Sequence, residues 1–337
     1  MASQAKRQWP YWEIALVVAI FGAGAWSSTL SPYYLSIDQL FGSTRAFIIP
    51  GLLALGLAIV VSLGEIDISL ASIVAVGTVA LAKFSAAGAP LALAAPVVVL
   101  IGALCGTLNG LLVAKWRLPS LAVTLGAMGA YRGLAFIVGS EVGYTDFGDS
   151  YSWLGSEYLL GGVVPASLVL FAIAAIAVWF LMHRTVYGRR CFSIGLNRDA
   201  AWFAGVDVVS QKVIAYALAG AFAGLAAIVW IGQYGSARGD NADGSILFVV
   251  TAVVLGGVDI NGGRGTISGV VLALFLLGTI RNGMGLANIG GPTQTVVLGG
   301  LLVAGVLRPV AVSAAARLTH PAKLKAAGAQ GDDIGGQ

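Results

Sequence analysis

The sequence predicts an all-α, polytopic membrane protein of about ten transmembrane helices, some of them short and broken, with an internal two-fold duplication. Three observations carry this. The 337 residues are 58% hydrophobic and only 10% charged, with mean hydropathy +0.89. A soluble domain carries about 25% charged residues, so this chain lacks the charges to cover a globular surface. Its apolar runs are continuous rather than alternating, which excludes an outer-membrane barrel. Finally, two of those runs are interrupted by one recurring polar motif, Leu63-Gly64-Glu65-Ile66-Asp67-Ile68 and Leu255-Gly256-Gly257-Val258-Asp259-Ile260. The 47 glycines suit close helix packing in lipid, where small residues let backbones approach.

A helix needs about 20 residues to cross the hydrocarbon core. Residues 14–30 form the first apolar run and lead outward. Lys6 and Arg7 before it give it the look of a signal peptide, but the apolar runs that follow favour a first membrane helix with its N-terminus inside. The second run, 46–63, returns to the first polar break. A short third, 68–82, leads out to a Gly/Pro turn, and the fourth, 91–114, returns to Lys115-Trp116-Arg117. The fifth is 118–138. Behind it, residues 139–162 hold Glu141, Asp146, Asp149 and Glu157 and no Lys or Arg, as an outer loop would. The sixth run, 163–182, ends at His183-Arg184, where a cationic loop begins and extends to Lys212. The seventh, 213–232, leads out. The eighth, 245–258, and ninth, 266–280, are both short and flank the second break. The tenth, 293–307, ends at Arg308-Pro309.

The cations test this order. Of 19 Lys and Arg, 14 fall on the inner side: Lys6, Arg7, Lys115, Arg117, Arg184, Arg189, Arg190, Arg198, Lys212, Arg264, Arg308, Arg317, Lys323 and Lys325. Arg45, Lys83, Arg238 and Arg281 fall outside, and Arg132 lies within the fifth run. The asymmetry sets both termini in the cytoplasm of a multi-pass inner-membrane protein. Short cationic clusters between apolar runs are this bias and not a nucleic-acid surface. Residues 1–312 then make a transmembrane domain with its cytoplasmic loop at 183–212, and the Gly/Ala-rich residues 313–337 make a disordered cytoplasmic tail. A second echo, Pro119 to Gly126 against Pro292 to Gly299, supports duplication. Its offset of 173 residues differs from the 192 of the first, and the sequence leaves open whether the repeat is inverted or parallel.

Carboxylates beside membrane helices are functional or paired by default. Glu65, Asp67 and Asp259, with Ser69 and Asn261, line a translocation path or gate, or else they shape turns, Asp67 capping the helix that follows. Short, Gly-interrupted segments at matching places in two halves are a sequence pointer to a transporter's path. Asn109, Thr124, Arg132 and Gln294 are polar residues inside apolar runs. Asn109 and Thr124 suit interhelical hydrogen bonds. Arg132 either snorkels to the outer interface or meets a partner. Arg238 and Asp240 lie in a polar outer loop, facing an external partner or pairing with each other. The aromatic residues of 139–162 suit an interfacial belt.

The inner loop is the most specific feature. Asn197 can cap a short helix, 198–204, stopped by Gly205 and carrying Trp202 and Phe203. An exposed aromatic pair there docks another protein or anchors in lipid. The chain has no G-x-x-x-x-G-K-[ST] loop, so it does not itself hydrolyse ATP. It has no H-E-x-x-H and no nucleophile elbow, so it is not read as an enzyme. His183 and His320 are far apart, Cys105 and Cys191 give no disulfide framework, and no metal-ligand spacing stands out.

Together these motifs resemble the sugar-importer permeases of the ATP-binding cassette superfamily, in the ribose/xylose/rhamnose/autoinducer-2 branch. The family's G-[GE]-I-D-[LI]-S is Gly64 to Ser69, its N-G-L-L-V is Asn109 to Val113, and its [LI]-P-[SA]…T-L-G is Leu118 to Gly126. The cytoplasmic motif T-x-[FY]-G-R…I-G-x-N-x-x-A-A-x-x-[SA]-G-[IV] is Thr185 to Val206, and L-G-G-x-x-I-x-G-G-x-G-[TS]-I-x-G is Leu255 to Gly269. The matches run in the family's order over nearly the whole chain. Glu65 departs from it, since many members have Gly there.

The resemblance implies an importer in which two permease chains, alike or different, form one pathway in the bilayer. A cytoplasmic ATPase holding ATP and Mg docks on the inner loop, at Gly188, Arg189, Gly195, Asn197, Ala200, Ala201, Trp202 and Gly205. An extracytoplasmic sugar-binding protein delivers solute. This chain itself binds no cofactor. Residues 235–240 look most like those of rhamnose- and autoinducer-2-type permeases, with rhamnose the first expectation for the solute. The rival readings are a branched-chain amino-acid permease of the same superfamily and a secondary transporter driven by protons through Glu65 or Asp259.

Overall fold

A computed structural model describes residues 9–139, 143–159 and 161–319 of the chain. In order, its elements are α1 (Trp9–Leu30), α2 (Ile37–Ser62), α3 (Leu70–Ala86), α4 (Leu91–Ala114), α5 (Ser120–Gly139), α6 (Asp149–Ser156), strands β1 (Tyr158–Leu159) and β2 (Val164–Pro165), α7 (Ala166–Arg184), α8 (Val186–Leu196), α9 (Arg198–Phe203), α10 (Val208–Tyr234), α11 (Ser245–Leu255), α12 (Ile267–Leu286) and α13 (Gly291–Thr319). Ten of these helices coincide with the ten apolar runs. Seven are long and apolar enough to cross a membrane, and α3, α11 and the Gly291–Leu307 part of α13 are shorter.

The boundaries differ in instructive ways. Helix α2 starts at Ile37 instead of 46, because Ser36 caps it and accepts from the Gln39 N–H at 3.3 Å. Helix α12 has 20 residues, so the ninth segment is not short. The loop 183–212, expected on the inner side, is almost wholly helical. Helix α8 was not foreseen, since its Gly188, Cys191 and Ile194 are buried against the bundle while the motif around them reads as polar loop. Residues 143–165, expected to be an open outer loop, hold α6 and a small hairpin. Two of the expected outer cations find rings there. Arg45 lies over Tyr158 and Lys83 over Tyr144. Helix α13 runs through Thr319, so it overlaps the start of the expected tail, and residues 320–337 lie outside the described residues.

Helix α2 is the axis of the bundle, buried continuously over residues 47–63. Helices α4 and α10 meet backbone to backbone. A Cβ added at Gly102 or Gly106 would run into the carbonyl oxygen of Gly220 or Tyr216, and one at Gly220 into that of Gly102. This is the close approach that glycines four apart permit in lipid.

Because crossing helices alternate in direction, the start of α1, both polar breaks, α8 and α9 share one end. Hydrogen bonds bear this out. The Trp12 indole donates to Leu255 O at 2.8 Å, and the hydroxyls of Thr266 and Ser268 donate to Glu13 at 2.8 and 2.7 Å. The Ile267 N–H donates to His183 Nε2 at 3.2 Å, so the last turn of α7 caps α12. The two sequence echoes behave differently. The breaks at 63–69 and 256–266 both lie at the α9 end, between helices that run in matching directions. Pro119 and Pro292 begin helices that run in opposite directions, α5 away from the α9 end and α13 towards it.

Candidate functional site

The segment 62–69, between α2 and α3, is where the helices of the α9 end converge. Gly64 takes the left-handed conformation (φ +75°), which only glycine adopts without strain, and turns the chain there. Asp67 and Ser69 are fully buried. Asp67 does not cap α3 as the sequence suggested. Its Oδ1 accepts from the Ser69 N–H at 2.9 Å and the Ser69 hydroxyl at 2.6 Å, and α3 starts one residue later at Leu70. Asn109 on α4 donates to Ser69 Oγ at 2.9 Å and to Asp67 Oδ2 at 3.5 Å, and accepts from the Tyr131 hydroxyl at 3.1 Å. Ile66 O accepts from the Tyr216 hydroxyl of α10 at 3.2 Å and from Thr124 of α5 at 3.5 Å. Every one of these buried polar side chains has a partner, as low dielectric demands.

Glu65 forms an ion pair with Lys212 of α10. Both side chains are nearly buried, 14% and 7% exposed. Lys212 is a residue of this junction that sequence reasoning did not single out. It counted only as one more inner cation, and its partner is 147 positions away.

The second break packs directly on the first. The Gly263 N–H donates to Ser62 O at 2.9 Å, and a Cβ at Gly64 would lie 2.9 Å from Asn261 O. Asp259 turns its own loop, accepting from the Asn261 N–H at 3.0 Å. Helix α8 closes this contact. A Cβ at Gly195 would collide with Ser62 O and with the backbone of Gly262 and Gly263. Three motifs far apart in the sequence therefore touch through glycine backbones at one point, which leaves no soft side chain between them to absorb a movement.

Helix α9 follows at once. Asn197 accepts from the Ala200 N–H at 2.9 Å as expected, Gly205 (φ +81°) ends the turn, and Ala201 is buried. Trp202 and Phe203 are 62% and 81% exposed and stack edge to face at 5.0 Å. Arg189, Asn197 and Ala200 share the exposed side, whereas Gly188 is buried against the Met182 backbone. Asp207 caps α10, and its bonds from the Ser210 hydroxyl and N–H hold its carboxyl below the ordinary value of 3.8. Helix α9 is thus fastened to the first break on both flanks, through Gly195 before it and Lys212 after it.

The remaining candidates sit at the opposite end. Arg132 meets partners there. Its Nη1 donates to the carbonyls of Gly239 and Asn241, both at 2.8 Å, and its Nη2 lies 3.7 Å from Asp243. The Asn241 amide in turn donates to Thr78 at 3.0 Å, so the 235–244 loop is clamped to α5 and α3. Arg238 and Asp240 are exposed and form a two-bond ion pair at 3.0 and 3.1 Å. Among the described residues no group of three or more His, Cys, Asp or Glu could hold a metal ion.

The profile of the family described as "Branched-chain amino acid transport system / permease component" matches residues 39–306. The chain is 36% identical to the autoinducer 2 import system permease protein LsrD of Klebsiella pneumoniae subsp. pneumoniae, over 88% of this chain and 90% of that one. The proteins of the same description from Photorhabdus temperata and Salmonella paratyphi A are 34% and 32% identical, with the same coverage. No solved structure matches significantly. A bundle of ten apolar helices, matched to these permeases along nearly its whole length, belongs to the branched-chain amino acid transport system / permease component family, in its ATP-binding-cassette sugar-permease branch.

Proposed function

We propose that the chain is the transmembrane subunit of an ATP-driven importer, with a small sugar-like solute as cargo and autoinducer-2 as its first candidate. Autoinducer-2 replaces the rhamnose of the sequence reading because the relatives above carry that description at 32–36% identity. In this reading α9 and both termini are cytoplasmic. A partner ATPase, carrying ATP and Mg, seats on Trp202 and Phe203. A solute-binding protein approaches the opposite end near Arg238 and Asp240, and a second permease chain completes the pathway. The segments around Glu65, Asp67, Ser69 and Asn261 act as an inner gate.

One observation carries the mechanism. The glycine contact of Gly195 with Ser62 and Gly263 joins the docking helices to both breaks without an intervening side chain. A displacement of α9 by the ATPase then moves the ends of α2, α3, α11 and α12 together, as packed elements with two discrete arrangements transmit a change. A proton-driven mechanism finds less support, because Glu65 is paired with Lys212 and Asp259 is committed to its own turn. The branched-chain amino-acid reading has the family's description behind it, and uptake decides between the solutes.

The test is uptake of labelled autoinducer-2, L-rhamnose and L-leucine into cells expressing this chain with its ATPase and binding protein. Sugar-like uptake that needs the ATPase and survives an uncoupler is expected. Uptake that persists without the ATPase and collapses with the uncoupler would overturn the reading. Gly205→Asp, placed where φ is +81°, should abolish ATPase pull-down while the chain stays folded in the membrane.

A further inference from the structure

We propose that a cavity of about 380 Å³ at the end opposite α9 is a binding site on this chain for a small, neutral, polyhydroxylated solute. The class of solute rests on the importer reading; the site rests on its own geometry. The cavity opens where α10 ends, α11 and α13 begin and α12 nears its end, and its volume lies within the roughly 300–1,000 Å³ of ordinary ligand pockets. Its lining combines two chemistries. Trp230 and Tyr234, one turn apart on α10, present rings 4.6 Å from centroid to centroid. Asp243, Arg281, Gln294 and Thr295 bring charged and hydrogen-bonding groups to the same space.

Several of these groups have bonding capacity to spare. Among the described residues the buried Trp230 indole N–H has no partner, and a buried donor left unmet is one that a ligand oxygen can satisfy. Among the described residues, no carboxylate lies within salt-bridge distance of Arg281. Gln294 uses its amide N–H on Ile289 O at 2.9 Å, which leaves the carbonyl oxygen as an acceptor. Gln294 was one of the polar residues that stood out inside an apolar run, and it has no part in the junction at the α9 end. The site is also held in place, because Asp243 belongs to the loop that Arg132 clamps to α5. Aromatic faces suit the C–H faces of a sugar ring, and a guanidinium, a carboxylate and an amide oxygen suit its hydroxyls. Leucine can set its carboxylate and ammonium on Arg281 and Asp243, but its apolar side chain leaves the Trp230 indole N–H and the Gln294 oxygen unmet.

Site-specific labelling tests this without requiring transport. Thr295→Cys puts a thiol on the rim, and the two native cysteines are buried and give little background. The full chain in lipid nanodiscs is reacted with a maleimide in the presence of autoinducer-2, L-rhamnose or L-leucine. We expect autoinducer-2 or L-rhamnose to slow labelling at least tenfold and L-leucine to leave it unchanged. Labelling at an exposed control, Ser152→Cys on α6, should not change, and Arg281→Ala should remove the protection. The proposal is overturned if neither polyol protects, if L-leucine protects equally, or if the thiol reacts in detergent but is blocked in nanodiscs without solute, which would make the cavity a lipid site. Uptake without protection sinks the cavity alone; protection without uptake sinks the importer reading alone.

Discussion

Removing Glu65 gives the sharpest test of the junction at the α9 end. Glu65→Ala leaves the Lys212 ammonium in a site where its side chain is only 7% exposed. Breaking a buried ion pair by deleting one partner costs about 3–5 kcal/mol, because the surviving charge is left uncompensated. Glu65 is itself 14% exposed, so some water can reach the pair and the low end, about 3 kcal/mol, applies. Replacing both groups removes the stranded charge, so Glu65→Ala/Lys212→Met should recover most of the loss. Thermal unfolding of the purified chain in detergent, for the wild type, both single variants and the double variant, gives the full cycle. Energies that do not add, with a coupling of about 2 kcal/mol or more, are expected for groups in direct contact. Additivity within about 0.5 kcal/mol would refute the pair. The exchanged pair Glu65→Lys/Lys212→Glu should restore uptake further than either reversal alone. If the junction couples α9 to the gate, Glu65→Ala should also keep ATPase pull-down while losing uptake.

Gly195→Ala should abolish uptake, because its methyl would collide with the Ser62 and Gly263 backbones, whereas Gly126→Ala, with nothing within 4 Å, should leave the melting temperature of the isolated chain unchanged. A Gly195→Ala chain that melts like Gly126→Ala and keeps uptake would refute the glycine contact. Asn197→Ala removes the bond to the Ala200 N–H and should cost the α9 turn about 1 kcal/mol, read as faster amide exchange at residues 198–203 and weaker ATPase pull-down. Arg132→Ala should free the 235–244 loop, seen as new proteolytic cleavage there with the α9 end unaffected; an uncut loop would mean that the backbone bond between Tyr144 and Ala237 suffices to hold it. Acidification should leave the Asp207 cap intact until the pH falls below 3.8, because its hydrogen-bonded carboxylate has a depressed folded-state pKa and its contribution is lost only as pH drops through that value. Earlier fraying at the start of α10, by amide exchange, would count against the bonds from Ser210.

Much of the site was legible one residue at a time. Glu65, Asp67, Ser69, Asn109 and Thr124 stood out because polar groups in apolar runs are costly, and the structure gathers all five around the first break. Asn197 and Gly205 announced the α9 turn through capping chemistry alone. Helix α8 was missed because its buried face is made of Gly188, Cys191 and Ile194, too small and scattered to read as a stripe. The long α12 was cut short because Arg281 and Asn282 look like its end, although the helix carries them to Leu286. Arg132 was placed in the right run but without its partners, which are carbonyl oxygens that any sequence could supply.

The sequence by itself determined how many apolar segments the chain has, where the two breaks fall and which loop carries the α9 turn. Those are local properties: the bilayer fixes the length of an apolar run, charge asymmetry orders the loops, and capping needs only neighbouring residues. The tertiary structure alone decided that Glu65 meets Lys212, that both breaks and Gly195 touch at one point, and that Trp230, Arg281 and Gln294 share a cavity. In lipid every face of a helix is apolar, so periodicity does not say which face turns inward or towards which neighbour; that is settled by backbone approach at glycines and by the pairing of a few polar groups.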